Sequence, residues 1–133
     1  MEPVGLIFIV DDDNIYRYTT ETYIQLLNLA KTVKTFGDGE EAIEDIKENL
    51  SNPDQLPDVV LLDVNMPIMD GWDFIEEFIT LKVSSKKITL YMVSSSIDER
   101  DRERAASIKE ITDYIIKPIT EEQLVKLIQS KHQ

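Results

Sequence analysis

The sequence predicts an α/β domain, a parallel β-sheet covered by helices on both faces. Five short apolar runs alternate with helical patterns along its 133 residues. Such alternation points to β–α units joined by right-handed crossovers. Three of the runs are almost unbroken in Ile, Val, Leu, Phe and Met, as expected of strands buried on both faces. No repeat, low-complexity tract or linker interrupts the pattern, and the length suits one domain of roughly 100–150 residues. Residues 1–133 are therefore expected to form a single domain.

The first strand is Leu6–Val10, and a helix follows from near Asn14, with Tyr16, Tyr23, Leu27 and Ala30 on one face. Thr32–Phe36 alternates in polarity and suits an edge strand. In the second helix Ala42, Ile43, Ile46 and Leu50 form an apolar stripe, with Glu40, Glu44 and Lys47 among the polar residues. Ser51–Pro57, carrying Asn52-Pro53-Asp54, is expected to be a flexible connection, and Ser84–Lys87 another. Val59–Leu62 is the third strand, and Phe74, Ile75, Phe78 and Ile79 mark the core face of the third helix. After the fourth strand, Ile88–Val93, the segment Ser96-Ile97-Asp98-Glu99 fits a capping box opening a fourth helix. Tyr114–Ile116 is the fifth strand, and Thr120-Glu121-Glu122-Gln123 is a second capping box. The fifth helix then turns Leu124, Leu127 and Ile128 to the core.

The formal charge is -12, from 26 acidic and 14 basic residues. It repels nucleic acid phosphates and anionic membrane surfaces, so neither is an expected partner. The absence of cysteine excludes disulfides, thiolate metal sites and a Cys nucleophile. The single histidine, His132, stands one residue from the end and is expected to be a solvated tail residue. Met1-Glu2-Pro3-Val4-Gly5 lacks the basic flank and long apolar core of a signal peptide. The longest apolar run, Val4 to Val10, falls far short of the ~18 residues that span a membrane. A cytoplasmic location is expected.

Chemistry gathers where the strands end. Asp11-Asp12-Asp13 follows the first strand and Asp63-Val64-Asn65-Met66-Pro67 ends the third. Ser94-Ser95-Ser96 follows the fourth, and Lys117-Pro118 the fifth. In a parallel sheet all four groups reach one edge. Crowded carboxylates raise a pKa or bind a cation, and without His or Cys clusters that cation is a hard one such as Mg²⁺. An aspartate beside Mg²⁺ can attack phosphorus and form an acyl phosphate. Lys117 and Ser94 can then contact the phosphoryl oxygens.

Each group alone has an ordinary structural explanation. Asp13 and Asn14 can cap the first helix, and Asp63 can be a turn acid before Met69-Asp70-Gly71. Ser94 to Ser96 can be capping residues, the preferred reading for Ser96. Lys117 can snorkel past the sheet edge. All four together, at successive strand ends, are much harder to explain that way.

The matching segments are Ile9-Val10-Asp11-Asp12, Leu61 through Gly71, Val93-Ser94-Ser95 and Lys117-Pro118, with Gly37-Asp38-Gly39-Glu40-Glu41-Ala42 as a turn into the second helix. Through them the chain resembles response-regulator receiver domains of the chemotaxis type over nearly its whole length. The resemblance implies the flavodoxin-like strand order 2-1-3-4-5, which the alternation alone does not fix. It implies that Asp63 is the phosphoacceptor, that Asp11 and Asp12 are the metal-binding pair, and that Asn65 lends its backbone carbonyl to Mg²⁺. Ser94 matches the switch hydroxyl, Tyr114 the aromatic switch position, and Lys117 the phosphate-pairing lysine, with a cis bond to Pro118. Ser95 departs from the family's usual alanine, which bears on access to the site.

The implied partners are a sensor histidine kinase or phosphotransfer protein and a downstream protein. With no effector domain expected, output would pass through protein–protein contact. The fourth helix, Asp98 to Arg104, is charged nearly all round. It can be a solvated helix with pairs such as Asp98 to Arg102. Alternatively its face, with the fifth strand and helix, docks a partner or a second copy. Three rivals remain. A haloacid-dehalogenase-type phosphohydrolase needs a second acid where Asn65 stands. A nucleotide or flavin module needs a phosphate-cradling glycine loop, which the 4 glycines do not form after the first strand. A receiver-like interaction module would never take up phosphate, although no essential residue is missing here.

Overall fold

The computed structural model describes residues 2–129. Its elements are β1 (Val4–Val10), α1 (Asn14–Leu26), β2 (Ala30–Phe36), α2 (Gly39–Glu48), β3 (Val59–Asp63), α3 (Gly71–Leu81), β4 (Thr89–Ser94), α4 (Glu99–Ala106), β5 (Asp113–Ile116) and α5 (Glu121–Gln129). His132 lies outside the described residues. Every strand pairing is parallel, and the order is β2-β1-β3-β4-β5, as expected.

Period-2 alternation sorts the strand side chains onto two cores. Ile7 and Ile9 of β1, Val59 and Leu61 of β3, and Tyr91 and Val93 of β4 pack with Ile24 of α1 and with Leu124 and Ile128 of α5. Leu6, Phe8, Val10, Val60, Leu62, Leu90 and Met92 face the other way, against Ile43, Ile46, Phe74, Ile75 and Phe78 of α2 and α3. Each such side chain contributes about 1.5–3 kcal/mol by leaving water. β3 and β4 are buried along their whole lengths, which fixes the height at which Asp63 and Ser94 emerge.

Several local expectations need correction. Leu27 and Ala30 do not belong to the buried face of α1, which consists of Thr20 and Ile24. Asn28 adopts φ 52° and ends the helix, a conformation that asparagine tolerates. Ala30 then opens β2, two residues earlier than expected. Leu50 lies beyond the end of α2. Ile79 sits on the exposed side of α3, whose buried face includes Trp72 instead. Ser51–Pro57 is folded: Pro53–Gln55 forms a 3-10 turn and Leu56 is fully buried. Lys86 Nζ fastens this segment by donating to the Pro53 and Leu56 carbonyls at 3.0 and 2.9 Å.

Two caps divide differently. Thr120 and Gln123 form the expected capping box of α5, each accepting the other's backbone N–H. Ser96 does not cap α4. Its N–H donates to Ser94 Oγ at 3.0 Å, and Asp98 caps the helix by accepting from Arg100 N. A carboxylate at the helix N-terminus also gains from the helix dipole, an advantage a hydroxyl lacks. Asp98 pairs with Arg100 at 3.4 Å in place of the expected Arg102. Among the described residues no helix is long and apolar enough to cross a membrane.

Candidate functional site

β1 delivers its carboxylates through a tightly bonded turn. Asp11 N donates to the Phe36 carbonyl at 3.0 Å, and Asp11 Oδ1 accepts from Asp13 N at 2.9 Å. Asp11 is buried and Asp12 exposed. Asp13 instead caps α1, accepting from Ile15 N and Tyr16 N at 2.9 and 3.1 Å. Arg17 ties the helix back by donating to the Asp11 carbonyl and to Asn14 Oδ1.

β3 delivers Asp63, which is only 6% exposed. The loop beyond it is fixed from its far end. Gly71 N donates to the Val64 carbonyl at 2.8 Å, and a Cβ on Gly71 would meet the Asp63 carbonyl oxygen at 2.7 Å. Glycine is therefore required by close approach of the backbone. Asp70 and Asp73 close a capping box on α3. Between them and Asp63 the loop is strained: Ile68, a β-branched residue, adopts φ 69°. Asn65 is exposed on the same loop.

Three groups now meet. Carboxylate oxygens of Asp11, Asp12 and Asp63 lie within 4.8 Å of one another. Lys117, directly after β5 and joined to Pro118 by a cis bond, places its ammonium 2.7 Å from Asp11 Oδ2 and 3.4 Å from Asp63 Oδ1. Burial, and then the neighbouring Asp11 charge, push the Asp63 carboxyl up to about 6, with Lys117 acting in the opposite direction. Burial disfavours the Lys117 cation, but its hydrogen bond to Asp11 and the surrounding carboxylates raise its pKa overall.

The β4–α4 loop is bonded to the same edge. Ser94 is fully buried; its carbonyl accepts from Lys117 N at 2.8 Å and its Oγ from Ser96 N at 3.0 Å. Tyr114 is 8% exposed and donates its hydroxyl to the Ser96 carbonyl at 3.3 Å. Ser94, Ser96 and Tyr114 thus form one hydrogen-bonded chain.

Two contacts had no signal in the sequence. The Arg17 clip depends on the turn at Asp11, and Tyr16, expected only as core, lays its ring 4.3 Å from the Lys117 ammonium.

The donor set suits a hard divalent cation. Three carboxylates gather at one point and an ammonium pairs with two of them, Asp11 and Asp63, without sulfur or imidazole in the cluster. An acidic pocket of this kind lies at the carboxyl edge of a doubly wound sheet between β1 and β3, the switch point where such α/β domains place their sites. The model of the response regulator receiver domain matches residues 7–129, and the chain belongs to that family.

Its relatives agree. A probable transcriptional regulator, ycf27, of Guillardia theta is 30% identical over 124 residues, which are 93% of this chain and 44% of that protein. This chain thus spans less than half of that relative. A two component response regulator from Cytophaga hutchinsonii shares the fold with TM-score 0.85 and 27% identity, over 95% of each chain. The CheX–CheY complex with BeF₃ and Mg²⁺ from Borrelia burgdorferi holds a chain 25% identical, with TM-score 0.77, over 97% of this chain and 90% of that one. Receiver domains are signalling switches of two-component systems and usually not enzymes.

Proposed function

We propose that Asp63 accepts a phosphoryl group, in the cytoplasm, from a sensor histidine kinase or phosphotransfer protein in an Mg²⁺-dependent reaction. The observation that supports this best is the sharing of Lys117 by Asp11 and Asp63, 2.7 and 3.4 Å from its ammonium, beside the exposed Asp12. Asp11, Asp12 and Asp63, with the Asn65 backbone carbonyl, would hold the cation. Mg²⁺ when bound offsets the negative charge that otherwise repels an incoming phosphoryl group.

The chain's own groups do the rest. A carboxylate oxygen of Asp63 forms the new bond to phosphorus as the bond to the donor's nitrogen or oxygen breaks, and the leaving atom keeps the electron pair. Lys117 releases a carboxylate and pairs with a phosphoryl oxygen. Ser94 Oγ accepts from Ser96 N, so its own hydrogen is available to donate to a second oxygen. Drawing Ser94 toward the phosphoryl group pulls on Ser96 and through it on the Tyr114 hydroxyl. The populations of two loop arrangements then shift. A cleft lined by Arg102, Ala105, Ile111 and Tyr114 opens where this chain reaches the surface. It lies on the face from α4 to α5 that would dock a downstream protein or a second copy.

The test is incubation with Mg²⁺ and acetyl phosphate, followed by intact mass. The expected result is one added phosphoryl group that requires Mg²⁺ and disappears in Asp63→Ala. If no adduct forms and beryllofluoride also fails to bind, the domain is a phosphorylation-independent interaction module.

A further inference from the structure

We propose that Tyr16 is a positioning residue for phosphoryl transfer: its ring holds the Lys117 ammonium at the mouth of the site without using any of its hydrogen bonds. This rests on the reading of Asp63 as phosphoacceptor.

Tyr16 stands in the first turn of α1, where Asp13 Oδ1 accepts its N–H at 3.1 Å and so fixes the backbone beneath it. Its ring lies 4.3 Å from Lys117 Nζ. The lysine side chain is only 17% exposed, so water screens this attraction weakly. The Tyr16 hydroxyl is itself buried; its neighbour is the Thr20 side chain of the same helix, and it makes no close hydrogen bond among the described residues. The ring face is the part of this tyrosine that meets the charged groups of the site.

A lysine is a flexible stem with a compact charge, and this one has work in two places. In the structure it pairs with Asp11 at 2.7 Å and Asp63 at 3.4 Å. In phosphoryl transfer it must turn toward an oxygen that was not there before. A hydrogen-bonding neighbour would have to be abandoned in that turn. An aromatic face attracts the cation through its quadrupole and leaves all three N–H donors free. Tyr16 can hold the charge while its bonds are exchanged.

The test uses the full chain as wild type and as Tyr16→Phe, Tyr16→Leu and Tyr16→Met. The first readout is the initial rate of Mg²⁺-dependent phosphorylation by acetyl phosphate, followed by intact mass. The second is the proton shift of the Lys117 methylene beside the ammonium in metal-free protein, which a ring face moves upfield. Leu and Met should slow the reaction about three- to tenfold, the range expected of one partly desolvated cation–ring contact, and should abolish the upfield shift. Phe should keep the shift and react within about twofold of wild type. Two aliphatic variants are used so that a poorly folded one does not decide the matter.

Equal rates across the series overturn the proposal. So does a Phe variant as slow as Leu, which would assign the effect to the hydroxyl. A wild-type chain that never takes up phosphate overturns the phosphoacceptor reading itself, and the role of Tyr16 with it. That failure shows in the control rather than in the variants.

Discussion

Replacing Asp63 with asparagine should make the metal-free protein more stable at neutral pH while abolishing the proposed phosphoryl uptake. Burial and the Asp11 charge move the Asp63 carboxyl from 3.8 to about 6, a displacement that corresponds to about 3 kcal/mol. Because the folded state binds the proton more tightly than the unfolded state, the penalty is absent below 3.8. It grows as pH rises and is complete above about 6. Asparagine removes the charge but also loses the 3.4 Å pairing with Lys117, so the net gain should be about 1–3 kcal/mol above pH 7. Urea unfolding in chelator at a series of pH values from 4 to 8 measures it. The gain should shrink steadily toward acid, and added Mg²⁺ should stabilise wild type more than the variant. A variant less stable than wild type at neutral pH, or a gain that increases on acidification, would refute the electrostatic account.

Other substitutions separate the site from its scaffold. Gly71→Ala drives a Cβ to 2.7 Å from the Asp63 carbonyl oxygen and 2.9 Å from Val64 Cα. It should cost about 1–3 kcal/mol in denaturant melts and slow phosphorylation, because the loop that must give way carries Asp63. Asp58→Ala removes the acceptor for Leu6 N at 2.9 Å and the Lys86 partner at 3.1 Å. It should cost about 1–3 kcal/mol of stability and leave the phosphorylation rate unchanged, since Asp58 precedes β3 at the end of the strand away from Asp63.

The strands buried on both sides were legible because aliphatic runs bounded by polar residues have few other uses. Val59–Leu62 and Leu6–Val10 are of this kind, and they lie within β3 and β1. Helix ends were less legible, because neighbouring candidates compete for the same donors. Ser96 and Asp98 can both cap α4, and Asp98, which directly precedes the first helical residue, takes the Arg100 N–H. The end of α1 is hidden in the sequence because Leu27 and Ala30 continue the helical spacing of Tyr23, and only the left-handed turn at Asn28 cuts it off. Within the site, the acids and the lysine declared themselves through their positions after strands. The contact of Tyr16 with Lys117 did not. Their pairing exists only once the sheet has closed a separation comparable to the 106 residues between Lys117 and Asp11, and no local pattern encodes it.

α4 contributes one buried side chain, Ala105, whereas α3 buries five residues and every residue of β4 is covered. Hydrogen exchange would find this as a gradient. The amides of β3 and β4 should exchange only through global unfolding, and those of α4 through local opening at a small fraction of that free energy. Ser94 and Tyr114 lie where the two regimes meet. Detaching α4 would therefore uncover Ala105 and the rim of one core, while the parallel pairing of β1, β3 and β4 that carries the carboxylates stays intact.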